Sequence, residues 1–282
     1  MVIPSAVPSD GVKEEGAVLA ELLRDRDRTD LLRGTPFQGW RVVDEVVHLL
    51  FLDHIARLTL TDRSRYEKEL AAYRTATDAA TAETTFAVMA AYEGQWVGTS
   101  EPLEIVARWR AGLAELVDLL ADRAPDAAVD WFGRSMRLSR LAAARQMELW
   151  CYGQDIFDTF QLAHPTTDHL WAVADFGVRT RRFSFQNRGL AVPEPAPVVR
   201  LESPSGSTWE WPSGASAESA DLVEGSAQQF CLVVTQRRHL DDTDLQVRGA
   251  GAAAWLPIAQ TIAGLPRSGP PAGQRSWERS TR

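Results

Sequence analysis

The stretch Arg145-Gln146-Met147-Glu148-Leu149-Trp150-Cys151-Tyr152-Gly153-Gln154-Asp155 reads as the middle of a long helix, and the rest of the chain is organised around it. Glu148, Tyr152 and Asp155 fall at i, i+4 and i+7, one above another on a single face. The surrounding Met147, Leu149, Trp150 and Ile156 show that this helix is substantially buried. A carboxylate in that setting needs a partner, because an unpaired buried charge is costly. Glu148 should therefore meet a cation, a metal, a hydrogen-bond donor or a water-filled cavity. The first candidate partner is His48, in the earlier run Gly39-Trp40-Arg41-Val42-Val43-Asp44-Glu45-Val46-Val47-His48-Leu49-Leu50.

Composition sets the outer limits. With 282 residues, 45% apolar and 24% charged, the chain has the makeup of a globular protein with a sizeable core and room for two domains. The net charge of −8 and a pI near 5.2 argue against a nucleic-acid surface, although Arg179-Thr180-Arg181-Arg182 is locally basic. No apolar run reaches the length of about 20 residues that spans a membrane. The N-terminus MVIPSAVPSD lacks a basic start followed by an apolar segment, so the expected location is cytoplasmic, with no membrane partner. Cys151 and Cys231 lie far apart and form neither a CxxC pair nor a disulfide framework.

In chain order, residues 1–10 read as a mobile lead. An amphipathic helix follows from Gly11 to Asp30 on Val18, Leu19, Leu22 and Leu23, and Gly34-Thr35-Pro36 ends it. A dense apolar run predicts a buried helix from Val42 to Leu60, carrying His48. Tyr66 to Tyr73 and Thr81 to Trp96 read as helices, the second interrupted near its end by Gly94. Ser100-Glu101-Pro102 starts another, with its apolar stripe running from Leu103 to Leu120. A turn carrying Trp131-Phe132-Gly133 leads into the Glu148 helix, expected from Leu138 to Phe160. His164-Pro165 breaks the chain, and Thr167 caps a helix from Asp168 to Asn187 that ends at Gly189.

Beyond Pro193, Pro195 and Pro197 the pattern changes to short alternating runs, Val198–Glu202, Thr208–Trp211, Ala220–Glu224 and Leu245–Arg248. Phe230–Arg237 and Ala252–Ile262 read as helices packed on that sheet. The expected organisation is a helical domain over 11–189, a small α+β domain over 198–265, and flexible tails at 1–10 and 266–282.

The run Gly39-Trp40…Asp44…His48-Leu49, followed by Glu148…Tyr152-Gly153-Gln154-Asp155 and a small α+β module, resembles the DinB-like metal-binding group that includes the mycothiol-dependent maleylpyruvate isomerases. Trp131-Phe132-Gly133, Trp150, Cys231-Leu232-Val233-Val234-Thr235-Gln236-Arg237-Arg238-His239 and Val247-Arg248-Gly249 are similar to an actinobacterial branch of that group. The resemblance covers nearly the whole chain. It implies an antiparallel four-helix bundle followed by a sterol-carrier-like α+β domain, and a divalent metal held by a His on the second helix and an E-x-x-x-H pair on the later one. His48 and Glu148 match the first two ligands, but the third position is Tyr152.

That departure alters the expected chemistry. A phenol with an ordinary pKa near ~10 is a poor ligand beside a neutral imidazole, and His48 with Glu148 alone are too few for a zinc site. His54 points elsewhere on its helix, about 120° from His48, and Asp155 lies about 10 Å along the axis from Glu148. No cofactor is therefore expected, with a divalent metal such as zinc as the alternative.

The bland readings stand beside these. His48 alone reads as a hydrogen-bonded core histidine, Tyr152 as a volume filler donating to Glu148, Cys151 as a small buried residue, and Arg237-Arg238-His239 as a solvated turn. Against them stands an enzyme whose candidate catalytic residues are His48, Glu148 and Tyr152, with Trp40, Asp44, Trp150, Asp155, Arg238 and His239 as candidate substrate contacts. The expected ligand is an apolar or carbonyl-containing small molecule, and the expected reaction a metal-independent isomerisation or cyclisation in natural-product metabolism. The alternatives are a metal- and mycothiol-dependent isomerase or transferase, and a non-catalytic binding protein. Nothing in the sequence specifies an oligomeric state.

Overall fold

The computed structural model describes residues 8–212, 221–262 and 264–275. The protein is mostly helical with small sheets, and it divides into two compact units, one ending at His164 and the other beginning at Pro165.

In the first unit the helices are α1 (Pro8–Leu22), α2 (Arg28–Leu31), α3 (Val42–Thr61), α4 (Arg63–Thr77), α5 (Thr85–Val97), α6 (Pro102–Ala121) and α7 (Leu138–Thr159), with β1 (Ala128–Trp131) and β2 (Arg134–Arg137) between α6 and α7. Helix α3 packs on α6 and α7, and α1 packs on the same two. Both α3 and α7 bury residues on nearly every face, which is why their apolar content exceeds that of a one-sided surface helix. The other flank of α3 is covered by α4, α5 and the hairpin. There Phe51, Leu52, Ile55, Leu58, Tyr66, Leu70 and Tyr73 form a core that Met89, Tyr92, Trp96, Trp131 and Phe132 close.

Local sequence sets the helix ends. Arg41 caps α3 jointly with Asp44, whose carboxylate accepts from the Arg41 backbone N–H at 2.8 Å. Helix α5 runs through Gly94 and stops at Gly98, which takes the left-handed conformation with φ +69°. The predicted turn at Trp131-Phe132-Gly133 is a β-hairpin. Trp131 pairs with Arg134, and Phe132 and Gly133 carry φ of +45° and +75°, the signs of a two-residue turn matched to strand twist.

The second unit holds α8 (Trp171–Arg179), α9 (Arg181–Gln186), β3 (Val198–Glu202), β4 (Thr208–Trp211), β5 (Leu222–Ser226), α10 (Ala227–Val234), β6 (Gln246–Arg248) and α11 (Ala250–Trp255). The sheet order is β4-β3-β5-β6, with β3 and β5 parallel and both outer pairs antiparallel. Helix α10 packs on β3 and β5, burying Phe230, Leu232 and Val234 beside Val199, Leu201 and Val223.

Here the structure departs from the sequence reading. The predicted helix from Asp168 to Asn187 is broken into a 3-10 turn, α8 and α9, and it clusters with the second unit rather than closing the first. The physical reason is close packing: α8 lies on α10, and a Cβ at Gly177 would come within 2.6 Å of Val234 Cγ2. At the N-terminus, α1 already includes Pro8, Ser9 and Asp10, while residues 1–7 of the expected lead lie outside the described residues. The stretch from Arg267, read as a flexible tail, is hydrogen-bonded: the Gln236 amide donates to the Arg267 carbonyl at 2.7 Å, and Gly273 N–H donates to Asp242 at 2.8 Å. Residues 276–282 lie outside the described residues.

Candidate functional site

The site grows from α3. Its capped N-terminus places His48 two turns in, and the loop before it folds back on itself: Thr35 N–H donates to the Trp40 carbonyl at 2.7 Å and Trp40 N–H to the Phe37 carbonyl at 2.8 Å. Gln38 and Gly39, with φ of +50° and +76°, make that tight reversal. It turns Phe37 and Trp40 inward, where the Trp40 indole N–H donates to the Phe86 carbonyl at 3.3 Å.

These rings wall His48. Trp40 lies 5.3 Å and Tyr152 4.8 Å from its ring centroid, both edge-on, while Trp40 and Tyr152 stack on each other at 6.0 Å. Phe37 meets Tyr152 at 5.4 Å and Phe86 at 4.7 Å. All five side chains are buried.

The expected pairing of His48 with Glu148 does not occur. His48 Nδ1 instead lies 2.9 and 3.0 Å from the two carboxylate oxygens of Glu93 on α5, and both residues are buried. An ionised carboxylate can only accept, so in this pair Nδ1 is the donor and Nε2 is the ring nitrogen that Glu93 does not engage. Glu148 is ion-paired with Arg145 one turn earlier on its own helix. Arg145 also donates to Asp53 Oδ1 through Nε at 3.1 Å and Nη2 at 2.9 Å. Arg145 and Asp53 are fully buried, and Glu148 is 14% exposed. Burial opposes the Arg145 charge, yet Asp53 and Glu148 together outweigh it and raise its pKa above the ordinary value. Glu148 thus has the cation the sequence reading required, supplied locally rather than by His48.

The remaining candidates are dispersed. Asp44 is engaged in the α3 cap and by the Arg41 guanidinium, with bonds of 2.9 and 2.8 Å. Trp150 points into a different cluster, stacked at 5.7 Å on His164, which bonds Glu15 at 2.7 Å and stacks on Phe157 at 4.5 Å. Asp155 is buried on α7. Arg238 and His239 belong to the second unit. Arg237 and Arg238 are buried rather than forming a solvated turn, and the Arg238 guanidinium donates to the Arg237 carbonyl at 2.9 Å. His239 caps a 3-10 turn by accepting from Asp241 N–H at 3.1 Å.

Sequence reasoning missed Glu93, Phe37 and Phe86. A signal for Glu93 existed: with Phe86 and Val97 it is one of the buried positions of α5, an acidic residue on the core face of an apolar helix.

The residues present do not fit the metal that the resemblance implies. Glu148 is held by Arg145 and a phenol, Tyr152, stands where a third ligand would be, which leaves His48, through Nε2, as the one matching position still able to offer a ligand atom. Among the described residues, no three His, Cys, Asp or Glu side chains gather as a metal-holding group.

Comparison with known proteins places this helical unit in a family. Residues 12–157 match the family described as mycothiol maleylpyruvate isomerase N-terminal domain, and the chain belongs to that family. It is 33% identical over 266 residues to the uncharacterized protein MT0041 of Mycobacterium tuberculosis (strain CDC 1551 / Oshkosh), covering 91% of this chain and 99% of the relative. The uncharacterized protein Rv0036c of strain ATCC 25618 / H37Rv matches with the same identity and coverage. Among solved structures, the mycothiol-dependent maleylpyruvate isomerase aligns with a TM-score of 0.49 and 15% identity, over 82% of this chain and 88% of that one. No helix among the described residues is long and apolar enough to cross a membrane.

Proposed function

We propose that this protein is a small-molecule-transforming enzyme, a metal-independent isomerase or cyclase acting on an apolar, carbonyl-containing compound of natural-product metabolism. The observation that carries this reading is the buried His48–Glu93 pair inside a wall of aromatic rings. Glu93 fixes the tautomer and orientation of His48, so that Nε2 serves as the base. In an isomerisation, Nε2 takes a proton from the carbon next to the carbonyl, leaving an enolate, and the imidazolium, after its N–H has exchanged with solvent, delivers a proton at the far end of the conjugated system. The double bond moves and no oxidant or second substrate is consumed. Tyr152 supplies a hydroxyl for the developing enolate oxygen. Glu148, clamped by Arg145, balances charge rather than exchanging a proton.

The helical unit is read as a DinB-like antiparallel four-helix bundle enclosing an apolar cavity, and the second unit as sterol-carrier-like. Family membership supports a second reading, a mycothiol-dependent isomerase, and the poor fit of the residues to a metal argues against its metal-dependent form. The test is turnover of maleylpyruvate and related unsaturated 2-oxo acids in deuterated water, with and without an added low-molecular-weight thiol, by wild type and His48→Gln. The proposal expects thiol-independent isomerisation with deuterium incorporation that His48→Gln loses. Turnover only with thiol selects the second reading. Ligand binding without turnover in either protein selects a non-catalytic binding protein.

A further inference from the structure

Position 152 is not the only change that closes this site to a metal. Glu148 would present its carboxylate to an ion only if nothing else held it, and Arg145 holds it from the preceding turn of α7. Arg145 is in turn anchored from α3 by Asp53, through two hydrogen bonds to one carboxylate oxygen at 3.1 and 2.9 Å. All nitrogens of the guanidinium are therefore committed between two carboxylates, in surroundings where neither Arg145 nor Asp53 has any solvent exposure. A guanidinium so placed does electrostatically what a bound cation does for Glu148, and it cannot leave without stranding two carboxylates.

We infer that Arg145 is the resident counter-cation of this helical interior, clamped by Asp53 onto Glu148, and that it excludes a divalent metal independently of Tyr152. This deepens the metal-independent reading proposed above and rests on it. Restoring an imidazole at position 152 is then insufficient, because Glu148 stays engaged. His48 can still offer Nε2, since Glu93 takes only Nδ1.

The experiment is metal content by elemental mass spectrometry after incubation with zinc and desalting, on wild type, Tyr152→His, Arg145→Gln/Tyr152→His and Asp53→Asn/Arg145→Gln/Tyr152→His. The triple variant removes the Asp53 charge along with its partner, so that a folded protein is retained for the measurement, verified by circular dichroism. The inference expects no retained ion in wild type or Tyr152→His, and about one ion per chain once Arg145 is gone. A stoichiometric ion in Tyr152→His alone overturns it, as does an empty triple variant that is folded. An ion in wild type overturns both this inference and the metal-independent reading, whereas a failure of the His48→Gln turnover test leaves the metal result standing.

Discussion

His48 Nδ1 is shared between both carboxylate oxygens of Glu93, at 2.9 and 3.0 Å, and so joins α3 to α5 in the interior of the helical unit. A neutral amide of the same shape keeps a hydrogen bond but removes the charge that orients the ring. Glu93→Gln is therefore expected to stay folded and to lose about 10²-fold or more in kcat, with KM little changed. Steady-state kinetics on whichever substrate wild type turns over, beside thermal melts, would check it. A Glu93→Gln enzyme of undiminished kcat removes Glu93 from the mechanism.

Arg145 and Asp53 form a pair with no solvent exposure. Arg145→Met strands the fully buried Asp53 carboxylate and leaves Glu148 without its cation, and should cost about 3–5 kcal/mol, while Asp53→Leu/Arg145→Met should recover the part of that loss due to Asp53. Urea denaturation of the two single variants and the double gives the coupling directly. Purely additive losses would show that the pair is not coupled.

His54 bonds Glu69 at 2.7 Å, but burial outweighs that carboxylate and holds the imidazole below its ordinary value of 6.5. The unfolded chain then takes up the proton first as pH falls, so this group contributes stability above the unfolded pKa that is lost on acidification toward the folded one. The unfolding free energy of wild type should thus drop more steeply from pH 7 to pH 5 than that of His54→Gln, by an amount on the order of 1 kcal/mol or less. Equal slopes in the two proteins would rule out this titration as a stability term.

Gly133 holds φ +75° in the β1–β2 turn, and an added Cβ would lie 2.6 Å from Arg74 Nη2, the far end of a flexible side chain. The cost of substitution is then mostly backbone strain. Gly133→Ala should lose about 1–2 kcal/mol, and Gly133→Asn less, because Asn tolerates the left-handed region. Thermal melts of both variants that fall in the opposite order would locate the cost in the Arg74 clash instead.

Much of the fold was legible because its cues are local. Apolar periodicity placed α3, α6 and α7 within a residue or two of their observed ends, and alternation placed β3 and β4 without error. The hairpin was missed although Phe132-Gly133 carried its signal, since Phe is an unusual residue at a positive φ. The Arg145–Glu148 pair was also legible, being an i, i+3 contact within one helical stretch.

By itself the sequence determined that this chain builds buried helices carrying a histidine and a carboxylate, then a small mixed sheet, because amphipathic period and turn chemistry are properties of neighbouring residues. Only the tertiary structure decided which acid meets the histidine. Glu93 and Glu148 are equally eligible along the chain. The choice falls to the packing of α5 against α3, which brings Glu93 to Nδ1, and to Asp53 on α3, which fixes Arg145 where it takes Glu148. A buried charge is satisfied by whichever partner the assembled helices bring within hydrogen-bond reach, and that distance is not written in any local pattern.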